Sequence, residues 1–404
     1  MIRAPGLGNV VSPCRPYTLI RVIRYTLGTA IGLVGVVLYC GCCCLWIIGS
    51  FGHARAMISQ VEIPLLGKWI QLGVMLVVGC GTAGCARWGR VVQRVDPDVV
   101  RRDAITAIKA GIGFKKNAAV RVQAVEALET SGLEEAPTWI RAALLDEHPG
   151  VRFAGCVAVG RMRDRSAELR LRDCVEDDDA NVRVAAIFAL HRIGFTEFTG
   201  RLATYLLEHD DAKVRRNAAL VLGFMNEPGA VKILAQAMRD ADAGVRQHAL
   251  EAMAKLGNRE ARQELTFMAN AGVGSEEVFA INALIATGDP IYRDTFLYKL
   301  DTAEHIETRL ASARGLGLLG SPIGYDVVVK SLETDLSPRD EPNDSPDAQA
   351  LRVRLLALGA LGAMGREEGL RYCVRLMSDP SDPRIQLAAA KGTLEILSAP
   401  RHTP

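Results

Sequence analysis

One pattern recurs through most of this chain and limits what it can fold into. In Val182-Arg183-Val184-Ala185-Ala186-Ile187-Phe188-Ala189-Leu190, a Val-Arg pair opens a run of small and apolar residues. With Arg183 as a marker, the equivalent positions are Arg121, Arg152, Arg215, Arg246, Glu277, Arg309, Arg354 and Arg384. Their spacing is about 31 residues, apart from a gap of 45 before Arg354. A fixed period in this range means supersecondary units that bury their apolar faces only by stacking on one another.

The frames agree at other positions. Three residues after the marker the residue is small in all frames but the last: Ala124, Gly155, Ala186, Ala218, Ala249, Ala280, Ser312, Ala357 and then Leu387. Seven after it the residue is apolar until Lys391. Offsets of three and seven share one helix face, so each marker sits on an amphipathic helix. Four residues before the marker stand Asn117, Asp179, Asp211 and Asp242, side chains suited to cap the first turn. In the last frame the expected cap is Asp382, with Pro383 at the first helical position. The capping carboxylates and marker guanidinium groups predict a ladder of Asp–Arg contacts built from Asp179, Arg183, Asp211, Arg215, Asp242 and Arg246, within or between repeats. Glu277 inverts the charge, so its repeat is expected to pack differently.

The unit Asp211-Ala212-Lys213-Val214-Arg215-Arg216-Asn217-Ala218-Ala219-Leu220-Val221-Leu222-Gly223 resembles the HEAT repeat family, in its phycobilisome-lyase-like branch. The resemblance covers residues 97–398 and implies an all-α, right-handed α-solenoid of about nine stacked antiparallel helix pairs. It is specific for fold and poor for function, because one fold hosts many activities.

Net charge is +2 over 404 residues, but it divides unevenly. Residues 1–96 carry +7 and the remainder −5. A mildly acidic repeat segment argues against nucleic acid as a partner, which needs a basic stripe. Of the 10 cysteines only Cys156, Cys174 and Cys373 fall in the repeats, without metal-ligand spacing, so they are expected to be packing residues.

Residues 1–56 form an apolar N-terminal segment, with a run from Thr26 to Ser50 long enough to span a bilayer as a helix and Arg15, Arg21 and Arg24 before it. Within 57–86 a second run, Trp69–Ala86, contains Val77-Val78-Gly79-Cys80. That stretch resembles a bacterial lipobox, which implies lipidation at Cys80, with Cys85 as the poorer alternative and Met57 as the coherent start. The expectation is an envelope lipoprotein with extracytoplasmic repeats. The competing one, from Arg87, Arg90 and Arg94 after the second run, starts at Met1 and leaves the repeats on the cytoplasmic face of the inner membrane. Both tether the repeats to a membrane.

Beyond a connector at 87–97, the solenoid is expected over 98–398, with a polar, Pro-containing insertion at 336–347 and a disordered tail at 399–404. Lys391 suggests a terminal repeat whose outer face meets water. In proteins of this family the Val-Arg helix lines the concave side, which makes His191, Arg192, Arg216, Asn217, Gln247 and His248 candidates for a partner-binding groove.

No catalytic constellation is evident. The deoxyhypusine-hydroxylase-like family holds iron through His-Glu dipeptides; here the order is reversed, as Glu147-His148, Glu208-His209 and Glu304-His305. Nothing marks a phycobilin site. No cofactor is expected, and the reading is a membrane-tethered scaffold that binds a protein partner, with an oxidoreductase or lyase-like solenoid as the alternative class.

Overall fold

The structure is a computed structural model that describes residues 19–27, 31–40, 43–49, 96–272, 274–334 and 344–399. The chain divides into two compact units, residues 1–93 and 94–404.

In the first unit, β1 (Leu19–Leu27), β2 (Ile31–Cys40) and β3 (Cys43–Gly49) form an antiparallel sheet in the order β1-β2-β3. Leu19 lies opposite Tyr39, and Val34 opposite Gly49. This corrects the expectation of a spanning helix from Thr26 to Ser50. The run carries Val34, Val36 and Val37, with Gly32 before them and Gly35 among them. β-branched side chains lose rotamer freedom in a helix, and each Gly costs about 1 kcal/mol there. No helix among the described residues is long and apolar enough to cross a membrane. The run Trp69–Ala86, with Cys80 and Cys85, lies outside the described residues.

The second unit alternates two kinds of helix. The outer series is α1 (Pro97–Ile112), α3 (Ala136–Ala143), α5 (Glu168–Cys174), α7 (Arg201–Leu207), α9 (Val231–Ala237), α11 (Arg259–Ala271), α13 (Arg293–Thr302), α15 (Tyr325–Glu333) and α17 (Leu370–Met377). The series that carries the markers is α2 (Ala118–Glu129), α4 (Pro149–Met162), α6 (Ala180–Ile193), α8 (Ala212–Met225), α10 (Ala243–Lys255), α12 (Ser275–Ala286), α14 (Ile306–Leu318), α16 (Pro346–Met364) and α18 (Pro383–Ser398). The starts follow the sequence: Asn117, Asp179, Asp211, Asp242 and Asp382 each cap a first turn through a side-chain oxygen. The inserted stretch ends at Ser345, which caps α16, with Pro346 in its first turn. Residues 335–343 and 400–404, most of the expected insertion and tail, lie outside the described residues.

Each marker helix packs on the next, from α2 through to α18. The repeated small residues permit the approach. A Cβ added at Gly160 would meet the Phe188 ring at 2.6 Å, and one at Gly223 would meet Ala252 Cβ at 2.9 Å. The faces so joined exclude water: Val184 through Leu190 of α6 are all buried.

The series then closes on itself. α18 packs against both α1 and α2. The Gln123 side chain donates to the Arg384 carbonyl at 3.1 Å across this seam, and a Cβ on Gly111 would collide with Leu387 at 2.7 Å. Leu387, Ala389 and Ala390 are buried. The expectation of a water-facing terminal repeat at Lys391 is thereby corrected. Lys391 is half-buried, 4.0 Å from Glu395, in a repeat that has neighbours on both sides. Periodicity records how one unit follows another; it does not record whether the accumulated turn brings the last unit back to the first.

Candidate functional site

The marker arginines form rungs, but apart from Arg384, which donates to its own cap Asp382 at 2.7 Å, not with the residues expected. Arg152 donates through Nε and Nη2 to the two carboxylate oxygens of Asp177, each at 2.8 Å, and through Nη1 to the carbonyls of Asp146 and Glu147. Asp177 also accepts from the Asp179 amide at 2.9 Å. Arg121 with Asp146 and Arg215 with Asp240 repeat this geometry. Each rung therefore joins a marker to an Asp 25 residues later, at the end of the next outer helix. For Asp240 the Arg215 hydrogen bonds hold the carboxyl below its usual range. For Asp146 and Asp177 burial pushes upward, but the arginine and backbone donors outweigh it and lower them too.

The capping residues play no part in these rungs. Asp179, Asp211 and Asp242 turn their oxygens to the amides of their own first turns. An oxygen aimed along its own helix axis is not presented to the preceding repeat; the residue two positions earlier is. Arg183 donates instead to the Tyr205 hydroxyl at 2.9 Å and to the carbonyls of Asp177 and Asp178. Arg246 donates to the carbonyls of Asp240 and Ala241. The expected pairing of Asp179, Asp211 and Asp242 with the markers is corrected accordingly.

At Glu277 the rung is inverted. Its carboxylate, on the marker helix α12, accepts from Lys299 of the outer helix α13 at 2.7 Å, and from the Thr308 hydroxyl at 3.3 Å. Glu277, Lys299 and Thr308 are all buried.

The six candidate groove residues fall at two levels. Arg216, Asn217, Gln247 and His248 belong to the second turns of α8 and α10, whereas His191 and Arg192 end α6. Eight residues of helix separate the positions of Arg216 and Arg192 in their frames, about 12 Å at 1.5 Å per residue. Asn217 donates to Asn181, and Arg216 lies 4.0 Å from Asp242. Gln247 is half-buried. His191 bridges Thr199 and Glu227, each at 3.2 Å. Arg192 has a buried Nε without a partner, and its pKa is lowered by burial and by Arg163. These side chains do not line one groove.

Around the ends of the marker helices, Arg161 stacks 4.1 Å from the Phe224 ring centre, while Lys255 lies 4.6 Å from it. Both cations are paired, Arg161 with Glu129 at 3.3 Å and Lys255 with Glu251 at 2.5 Å. Burial works to raise Glu251, but His248 and Lys255 hold it at about 2. Burial prevails at Glu129 and Glu395, which are raised. Cys156, Cys174 and Cys373 are buried free thiols, and burial pushes Cys373 to about 12. Among the described residues no three His, Cys, Asp or Glu side chains are grouped to hold a metal ion.

Most exposed large apolar side chains lie instead on or beside the outer helices, Leu318 at the end of α14 being an exception, a feature the sequence reading missed. Phe267 of α11 is 70% exposed, Tyr298 of α13 56%, and Ile291 before α13 74%. The available signal was a large apolar residue at a frame position where most other repeats are polar.

A match to a family model agrees with this architecture. The family model for HEAT repeats matches residues 112–191 and 199–277. These stretches are HEAT repeats. The phycocyanin lyase CpcE–CpcF complex of Nostoc sp. PCC7120 is similar in structure, at 18% identity and TM-score 0.36, over 65% of this chain and 94% of that one. Human deoxyhypusine hydroxylase in complex with glycerol is similar at 17% identity and TM-score 0.34, over 74% of this chain and 97% of that one. No protein of curated function matches the sequence.

Proposed function

We propose that the closed array of HEAT repeats is a non-catalytic scaffold that binds a protein partner on its outer surface and is held at a membrane by its N-terminal segment. The observation that carries this reading is the exposure of large apolar side chains on successive outer helices, Phe267 and Tyr298 among them, while the marker helices are packed against one another. Monomers rarely leave such side chains grouped in water without a partner.

For the tether, the lipobox-like Val77-Val78-Gly79-Cys80 supports a lipid group on Cys80, a route that requires no spanning helix. It places the repeats outside the cytoplasm in a bacterial envelope. Mild-detergent purification from the membrane fraction, followed by intact mass and N-terminal peptide mapping, tests both parts. The expected result is a mature chain beginning at diacylglyceryl-modified Cys80 with a stoichiometric protein partner. A chain beginning at Met1 with unmodified Cys80 and Cys85 contradicts the lipoprotein reading. Stoichiometric iron in the purified protein contradicts the non-catalytic one.

A further inference from the structure

From Arg141 to Arg201 the chain carries 10 arginines and no lysine. Six of them pair with carboxylates: Arg141, Arg152, Arg161, Arg170, Arg172 and Arg201. Arg183 donates to Tyr205 and to backbone carbonyls. Arg163, Arg165 and Arg192 remain, and among the described residues their side chains make no ion pair or hydrogen bond.

These three lie on one rim of the array, where marker helices end and outer helices begin. Arg163 and Arg165 are on the turn between α4 and α5, and Arg192 is in the last turn of α6. Burial lowers the Arg192 pKa, and the charge of Arg163 beside it lowers it further. The Arg165 Nη2 is 3.6 Å from where a Cβ on Gly194 would sit, two residues beyond Arg192.

The acids of this region are engaged elsewhere. Asp164, between Arg163 and Arg165 in the sequence, accepts from the Ser166 amide at 3.0 Å through one oxygen and from Arg141 at 2.5 Å through the other. Glu168 and Glu197 both hold Arg172, Glu129 holds Arg161, and Glu227 meets His191. The last carbonyls of α4 and α6 accept from the cap amides of Arg163 and Gly194. Arg192 is half-buried, and its Nε is closed off from water without an acceptor. A buried donor left unpaired costs its desolvation in full, and a like charge beside it adds to that cost. An anion placed here relieves both.

We propose that Arg163, Arg165 and Arg192 form a binding site for a phosphate group, carried by a small phosphorylated molecule or by a lipid headgroup. The site does not depend on the scaffold reading. A carboxylate brings one charge and two oxygens, fewer than three guanidinium forks can use. A phosphate monoester brings about two charges and three terminal oxygens, which match them better.

The test uses the full-length chain in nonionic detergent. It is titrated with inorganic phosphate, with acetate, and with the soluble short-chain lipids dihexanoylphosphatidic acid and dihexanoylphosphatidylcholine. Binding is read by calorimetry and by the thermal midpoint, which a ligand of the folded state raises. Inorganic phosphate or the phosphatidic acid should bind, less well as salt rises, and acetate and the phosphatidylcholine should not. Arg192→Met with Arg163→Asn should weaken that binding by about tenfold or more. Without ligand its midpoint should equal or exceed that of wild type, because a poorly solvated charge without a partner has been removed. Should the double variant be destabilised, Arg163→Asn alone should still weaken binding severalfold. Arg163 is exposed at φ 54°, a left-handed conformation that Asn adopts readily. Arg172→Gln removes a paired cation from the same stretch and should leave binding unaltered. Phosphatidic acid bound about tenfold tighter than inorganic phosphate would assign the lipid headgroup as the source, and equal affinities a small molecule. Three results would overturn the proposal: a wild type that binds neither phosphate nor phosphatidic acid, acetate as effective as phosphate, or binding that neither variant at Arg163 weakens.

Discussion

Arg215 of one repeat grips Asp240 of the next through two parallel hydrogen bonds of 2.7 and 2.9 Å, and the same carboxylate receives the backbone amide of Asp242 at 2.8 Å. One side chain therefore sets both the spacing of two repeats and the entry to a marker helix. Both partners are largely buried, with side-chain exposures of 15% and 11%. Asp240→Ala leaves the guanidinium without its anion and should cost about 3 kcal/mol. Asp211→Ala, which removes only a cap, should cost about 1 kcal/mol. Denaturant midpoints of the two variants check the order; equal losses would contradict it.

The inverted pair gives the complementary experiment. Glu277→Gln leaves Lys299 buried without a countercharge and should destabilise by about 3 kcal/mol. Replacing both, Glu277→Leu with Lys299→Met, should recover most of that loss, since each charge is expensive chiefly when alone. A double variant no better than the single one would show that Thr308, which also bonds Glu277, carries the local stability.

Acid should loosen the array through identifiable groups. Glu251 has its folded pKa lowered from 4.5 to about 2, and Asp146, Asp177 and Asp240 are also lowered. Their folded values lie below the unfolded ones. Their stabilisation is therefore complete above the unfolded pKa and is lost as pH falls through the folded one. For Glu251 that window runs from about 4.5 down to about 2. Glu129 and Glu395 are raised and act oppositely, adding stability as they protonate on the way down. Glu251→Gln should lose about 2–3 kcal/mol at pH 7 and differ little from wild type at pH 2. Thermal midpoints across that range test the sign.

The repeat register, the caps at Asn117, Asp179, Asp211, Asp242 and Asp382, and the anomaly at Glu277 were legible in the sequence because each is local to one helix or recurs at a fixed offset. The true partners of the marker arginines were less so. Asp177 and Asp240 stand two residues before the cap in the sequence, and only the packing of one repeat on the next tells which oxygen faces the guanidinium. The strands at residues 19–49 were misread because an apolar run rich in Val, Ile and Gly satisfies a length criterion for a helix without favouring one. Scattering of the six groove candidates was legible too, since His191 and Arg192 stand eight and nine residues after their marker and the other four only one or two. The outer row of Phe267 and Tyr298 was visible in principle, since both break the polar pattern at one frame position, but exposure on an outer helix depends on which face the stack covers.

Closure of the array is the central structural claim, and hydrogen exchange of the Leu387→Ser variant tests it most directly. Leu387 is buried on α18, against Gly111 of α1. A closed array predicts that amide protection falls together in Pro383–Ser398 and in Pro97–Glu129, at opposite ends of the sequence, because each supports the other. Protection lost in Pro383–Ser398 with Pro97–Glu129 unchanged would mean that the repeats form an open stack, and would contradict the seam.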